Sequence, residues 1–261
     1  MKYMGSKRKY WKDIVPIIQR YINEHNIEVF IDAFVGAANL SEHIIAPIKI
    51  GNDLSFSLIG LHKQAQADFS KIPAEGSREM WNKCYSEWKR INALPQEERI
   101  ESNSDIPFYE IGAIEWYGSF SGRGFPGGYA KPNETRNPYI SSRNTHEKEA
   151  KTSLYQDIIF TCGDYRTILE RFEGLSDKKV LFYFDSPYKG TKAYGISPHF
   201  NFEEYYDYLR KISQTYPCFI SEQEMPEDFP IVWEKAAERT VGLDNHYQAT
   251  EKLFLLEPAI N

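Results

Sequence analysis

Cysteine is scarce in this 261-residue chain: Cys84, Cys162 and Cys218 stand far apart, with no CxxC pair and no Cys/His cluster. That excludes a zinc ribbon, argues against a disulfide framework and fits a reducing compartment. No run of about 18 apolar residues occurs, so no transmembrane helix is expected. The opening MKYMGSKRKYWKD is charged and lacks the apolar stretch of a signal peptide. Positive charge is in deficit, 31 Lys and Arg against 37 Asp and Glu, for a net charge of −6. Taken alone, this speaks against a surface coated for nucleic acid. Internal repeats are absent. What is present is a globular composition, 41% hydrophobic and 15% aromatic. It suits one large domain or a domain with a smaller module.

The spacing of Ile14, Val15, Ile17, Ile18 and Tyr21 predicts a helix over 7–23, kinked or restarted at Pro16. Val29, Phe30 and Ile31 form an apolar run ending in Asp32, the signal of a buried strand. A small-residue turn over 33–39 follows, then a helix to Ala46 that Pro47 stops. A second strand, 48–51, runs into Asn52 and Asp53, and 55–69 reads as helix. This is the opening of a doubly wound α/β sheet. Residues 70–152 break the pattern. They are irregular, polar and aromatic, rich in Gly and Pro, with Trp81, Trp88 and Trp116 supplying some core. They read as an inserted, partly helical module between the two parts of an α/β domain, 1–69 and 153–261. The pattern resumes with a strand at 157–161, then Gly163-Asp164-Tyr165 and a helix to Phe172. The apolar strand 180–184 ends in Asp185. A helix over 202–213 and strands at 218–221, 231–240 and 251–256 complete the expectation.

Three strands thus end in an acid, Asp32, Asp53 and Asp185, and Asp164 follows a fourth. In an open α/β sheet the ligand crevice lies outside the carboxyl ends of the strands, so four carboxylates at that edge are placed to meet one ligand. Asp53 falls about 20 residues after the first strand-turn, where such folds place the acid that grips ribose hydroxyls. Each acid, taken singly, could equally cap a helix in a βα turn. Gly36 is one glycine where a dinucleotide fingerprint has three, which favours a ligand with a ribose and an amino-acid tail over one with a phosphate. The sharpest feature is Asp185-Ser186-Pro187-Tyr188 at the end of the 181–184 strand. Pro187 fixes its own φ and holds Ser186 extended. That presents the Asp185 carboxylate, the Ser186 carbonyl and the flat face of Tyr188 together. A planar base bearing an amine fits such a set.

These residues resemble the Dam-type DNA adenine-N6 methyltransferases, in the family's order at both ends of the chain. Lys2-Tyr3-Met4-Gly5-Ser6-Lys7 is similar to the N-terminal motif for S-adenosylmethionine. Residues 31–38, IDAFVGAA, resemble the FxGxG loop, and Asn52-Asp53 the ribose-binding acid. Cys162-Gly163-Asp164-Tyr165 resembles the segment beside the cofactor adenine, and Asp185-Ser186-Pro187-Tyr188 the catalytic DPPY tetrapeptide. Ser186 stands in place of the first Pro, and Ala38 in place of the second Gly. The resemblance implies a Rossmann-like α/β sheet with residues 70–152 as target-recognition domain. It implies catalytic Asp185, Ser186, Pro187 and Tyr188, and a cofactor site of Tyr3, Gly5, Lys7, Asp32, Phe34, Gly36, Asp53, Asp164 and Tyr165. Lys7 and Asp32 are assigned to the methionine end, Asp53 to the ribose, Asp164 to the cofactor adenine, with Tyr165 and Phe34 packed nearby.

The implied activity is methyl transfer from S-adenosylmethionine to N6 of an adenine flipped from duplex DNA, without a metal, by a monomeric, cytoplasmic enzyme of a bacterium or phage. An RNA or other adenine N6-methyltransferase, or an inactive cofactor- or DNA-binding protein, is the alternative. Residues 119–151 carry six basic side chains against Glu134, Glu147 and Glu149, interleaved with aromatics. DNA contact is expected there, with Arg123 at a base edge and Lys131, Arg136 and Arg143 nearby, Arg136 and Arg143 at phosphates. A basic cluster over residues 2–20 is expected beside the same DNA. His146 and His199 read as surface residues.

Overall fold

The computed structural model describes residues 1–175, 177–188, 200–241 and 245–259. Among them, seven strands form one sheet: β1 (Val29–Asp32), β2 (Ile48–Asp53), β3 (Ile158–Cys162), β4 (Val180–Phe184), β5 (Cys218–Glu222), β6 (Ile231–Val241) and β7 (Asn245–Leu256), in the order β3-β2-β1-β4-β5-β7-β6. The first five pair in parallel, and β7 enters antiparallel between β5 and β6. Eight helices accompany it among the described residues: α1 (Trp11–His25), α2 (Phe56–Ala67), α3 (Arg78–Asn92), α4 (Gln96–Arg99), α5 (Phe108–Gly118), α6 (Pro138–Ala150), α7 (Ser153–Gln156) and α8 (Phe202–Ile212). None is long and apolar enough to cross a membrane. This is the Rossmann-like α/β architecture expected of the sequence.

The central strands β1, β4 and β5 are buried on every residue and mostly apolar, because both faces are covered. Val29, Ile31, Phe182, Phe184, Cys218 and Ile220 pack with Tyr205, Leu209 and Ile212 of α8. The alternate residues Phe30, Leu181, Tyr183 and Phe219 pack with Ile14, Ile18 and Ile22 of α1 on the other side.

Three expectations change. Helix α1 runs through Pro16 as a single element. The helix expected between β1 and β2 is only the 3₁₀ turn Ser41–His43. Ala38 takes a left-handed φ of 60°, and the Ser41 hydroxyl turns back to Asp32. Both hold the chain in a loop. Two 3₁₀ turns, Tyr165–Thr167 and Leu169–Arg171, likewise replace the helix expected before Phe172. Arg171 is drawn back to the strand ends, where it donates to the Cys162 and Asp164 carbonyls and to the Asn52 side chain.

Helix α5 of the inserted region lies against α2 almost backbone to backbone. A Cβ on Gly112 would stand 2.1 Å from the Ser57 carbonyl oxygen, and one on Gly60 2.7 Å from Phe108. Phe56, Leu58 and Leu61 of α2 share one core with Trp81, Trp88, Ile111 and Ile114. The inserted region is therefore packed onto the sheet domain through α2.

Candidate active site

The parallel strands run outward from the centre in both directions, β1 to β2 and β3, β4 to β5. The topological switch falls between β1 and β4, where such sheets open a crevice. Asp32 ends β1, Asp185 follows β4, and Asp53 ends β2. The residues before α1 run beside this edge. The Tyr3 ring packs on Gly36, where a Cβ would lie 3.0 Å from it, and 4.9 Å from the Trp116 ring of α5. Gly5, exposed with a φ of 82°, gives the turn that leads to Ser6 and the buried Lys7.

Lys7 is the centre of a compact charge cluster. Its Nζ donates to Asp185 Oδ1 at 2.5 Å, lies 3.2 Å from Glu251 Oε1 and donates to the Tyr188 hydroxyl. Tyr188 in turn donates to Glu251, and the ammonium stands 4.6 Å from the Tyr188 ring centroid. Lys7, expected at the methionine end of a cofactor, is engaged by Asp185 and Glu251, because an ammonium 3% exposed needs counter-charges. Burial works to deprotonate it, but Asp185 and Glu251 outweigh burial and hold it charged. Burial also pushes the Asp185 carboxyl up, Lys7 pulls it down and Glu251 adds to the rise, leaving it at about 6. Ser186 is buried, and the Tyr205 phenol is its neighbour.

The loop after β1 is fixed from several sides. Asp32 accepts from the Phe34 N–H and from the Ser41 hydroxyl, and burial raises it to about 7. Asp53 accepts from the Gly36 and Ser55 N–H groups at 3.1 and 2.9 Å, while burial holds it near 6. Asn52 bridges the strand ends by donating to the Ala33 and Gly163 carbonyls. Phe34 and Tyr165 come together, with ring centroids 5.0 Å apart. Asp164 caps the turn that follows it and is gripped by Arg166 through both oxygens. The capping alternative open to every one of these acids therefore applies to Asp164.

Arg123 belongs to a loop of left-handed residues, Ser121, Gly122 and Gly124. That loop docks on the residues before α1: the Met4 N–H donates to the Gly122 carbonyl at 2.9 Å, and a Cβ on Gly122 would meet the Lys2 carbonyl oxygen at 2.6 Å. Phe120 at its tip is 58% exposed. Lys131 and Arg136 are exposed. Arg143 is turned inward, donating to the Ile72 and Pro73 carbonyls and lying over Phe69. His146, read as a surface residue, is fully buried, because two Tyr hydroxyls satisfy its ring nitrogens. His199 lies outside the described residues.

Glu251 escaped the reading of the sequence. Its signal was an acid two residues before buried Leu253 on one strand, a position that should have been apolar. Glu115 was missed likewise. It is buried, accepts from Ser57 at 2.6 Å, and burial near Asp53 pushes it to about 8.

No curated protein matches the sequence. Among solved structures, the rRNA methyltransferase AviRa from Streptomyces viridochromogenes is similar at a TM-score of 0.30 and 11% identity, over 88% of this chain and 77% of that one. The family comparison is of a different order, since one match takes in the residues before α1, the loop after β1 and the 185–188 tetrapeptide together. Matched over residues 3–228, the chain belongs to the D12 class N6 adenine-specific DNA methyltransferase family.

Proposed function

We propose that the protein transfers the methyl group of S-adenosylmethionine to N6 of an adenine flipped out of duplex DNA. The observation that carries this reading is Asp185 with Ser186 and Tyr188 at the switch point, a carboxylate, a backbone carbonyl and an aromatic ring delivered by one buried strand. The loop after β1 suits the cofactor. Asn39 is buried there with neither polar atom of its amide hydrogen-bonded, which is costly unless a ligand supplies the partner. Asp53 ends β2 within reach of ribose hydroxyls. Asp32, Gly36 and Phe34 line the same turn, with Tyr165 against Phe34, Tyr3 over Gly36, and Gly5 and Lys7 leading away. Asp164 stands beside them as the acceptor for the cofactor adenine once Arg166 shares it.

Bound S-adenosylmethionine supplies a methyl group activated by a sulfonium. The N6 lone pair of adenine is delocalised into the ring and must localise to attack. Asp185 and the Ser186 carbonyl accept hydrogen bonds from the two N6 hydrogens and stabilise the positive charge that develops on nitrogen, and the surplus N6 proton then leaves by way of the Asp185 carboxylate to solvent. Lys7 keeps Asp185 ionised through one oxygen and leaves the other to the substrate. Tyr188 stacks on the extruded base, Pro187 holds the tetrapeptide extended, and alignment of the reacting atoms does the rest. Residues 70–152 act as the recognition module. Arg123 reads a base edge, exposed Lys131 and Arg136 meet phosphates, and Phe120 fills the space left in the stack.

The test is incubation of the purified protein with methyl-labelled S-adenosylmethionine and duplex DNA, digestion, and analysis for N6-methyladenine. Label in that nucleoside is expected, and its loss in Asp185→Ala with cofactor binding retained. Full transfer by Asp185→Ala defeats the mechanism, and label in RNA alone defeats the DNA substrate.

A further inference from the structure

A chain of four buried side chains runs from the inserted region to the loop after β1. Tyr117 of α5 bonds His146 Nδ1 at 2.6 Å, His146 Nε2 meets the Tyr155 hydroxyl at 2.8 Å, and Tyr155 meets His62 Nδ1 at 2.6 Å. His62 Nε2 ends the chain on the Gly36 carbonyl at 2.7 Å. All four residues are at most 1% exposed. Burial pulls His62 down to about 4 and His146 well below its usual value, so both rings are neutral.

A neutral imidazole has one donor and one acceptor, and that makes the direction of every bond obligatory. The Gly36 carbonyl only accepts, so His62 carries its proton on Nε2 and accepts at Nδ1. Tyr155 must donate there, so its oxygen accepts from His146 Nε2–H. His146 Nδ1 then accepts from Tyr117. The Gly36 peptide is held at its other side by its own N–H on Asp53. Tyr117 is next to Trp116, which packs on Tyr3, and α5 leads directly into the loop carrying Arg123.

We infer that Tyr117, His146, Tyr155 and His62 form a one-way hydrogen-bond relay that positions the Gly36 peptide, so that the placement of the recognition module sets the grip on S-adenosylmethionine. The inference rests on the reading of this loop as the cofactor site. The four are positioning residues: none touches the reacting atoms. Removal of the Tyr117 hydroxyl leaves His146 Nδ1 without a donor. Reversal of the protons is no remedy, because it would set a His62 lone pair against the Gly36 carbonyl; the His146 ring instead loses its anchor on α5, and the hold passed through Tyr155 and His62 to the Gly36 carbonyl loosens.

The experiment compares Tyr117→Phe with Tyr139→Phe. Tyr139 is a buried neighbour whose hydroxyl bonds the Pro73 carbonyl, outside the relay. Long-range 15N–1H spectra of histidine-labelled protein are expected to show both His62 and His146 protonated on Nε2. Tyr117→Phe is expected to leave His62 protonated on Nε2, as the Gly36 carbonyl requires, to shift the His146 Nδ1 resonance as its donor is lost, and to weaken S-adenosylmethionine binding about tenfold, the equivalent of one hydrogen bond. Tyr139→Phe is expected to lower stability alone. An Nδ1–H tautomer at either ring in the wild type overturns the relay. So does cofactor affinity in Tyr117→Phe equal to that in Tyr139→Phe. Failure of the wild type to bind S-adenosylmethionine overturns the cofactor reading itself, and the spectra still report on the relay's geometry.

Discussion

A buried ammonium between two carboxylates governs the charge state of Asp185. In the proposed role Asp185 is an acceptor and works only as the carboxylate, and its carboxyl lies near 6 rather than in the usual range. The rate of methyl transfer is expected to fall as pH drops through about 6, and a flat profile down to pH 5 would count against the role. In Lys7→Met the cation that pulls Asp185 down is gone, so the acid limb should move up by about 1–3 units. The fold should weaken by about 3 kcal/mol, because Glu251 keeps a buried charge with no partner cation. A pH-rate series of the two proteins, with denaturant titration, checks both. Ala38 is strained in a different way. A left-handed φ costs an alanine about 1–2 kcal/mol, while a glycine there has up to about 1 kcal/mol more chain entropy to lose. Ala38→Gly is therefore expected to stabilise the protein by about 0.5–1 kcal/mol, read as a higher midpoint of unfolding.

At the scale of elements, the contact between α2 and α5 depends on two glycines. Gly112→Ala would drive a methyl into the Ser57 carbonyl, so the helices must part, and a loss of about 3 kcal/mol is expected. Thermal unfolding measures it, and an unchanged midpoint would mean that the helices are not held this closely. That contact also marks where the sequence was legible. β1 and β4 announced themselves because strands covered on both faces are apolar up to their last residues, β2 because Ile48 and Ile50 flank a single Lys49, and each led into an acid at the same edge. Residues 33–39 read as a turn, and the stretch from there to Ala46 as a helix with Pro47 as its stop. What opposes the helix is a left-handed residue and a hydroxyl bonded back to Asp32, and neither leaves a periodic trace. The 185–188 tetrapeptide was legible since its chemistry is local. Glu251 and the relay through His146 were not. Tyr188 and Glu251 are 63 residues apart and Tyr117 and His146 are 29 apart, and only the fold brings them together.

Over the whole molecule, the net charge of −6 hides a basic stretch, exposed at Lys131 and Arg136 and continued by Arg123 in the loop docked on the residues before α1. Removing one phosphate-binding cation should flatten the dependence of log affinity on log salt by about 0.9. Lys131→Ala with Arg136→Ala is expected to reduce the slope by about 2 and weaken all DNA sequences alike. Arg123→Ala should instead lower discrimination between sites, by about 1–3 kcal/mol at one base pair. Salt titrations on two DNA sequences separate these outcomes. The order of the sheet has one more consequence, for synthesis. β7 is made after every other described strand, yet it lies inside the sheet, between β5 and β6, and it carries Glu251. A ribosome delivers Lys7 and Asp185 long before that acid emerges. On a growing chain Lys7 has half its counter-charge, and β5 is an open edge exposed to misassembly. The charge cluster around Lys7 thus closes only when residues 245–256 have been released and slotted into place, so a nascent chain carrying everything up to residue 228 still lacks Glu251.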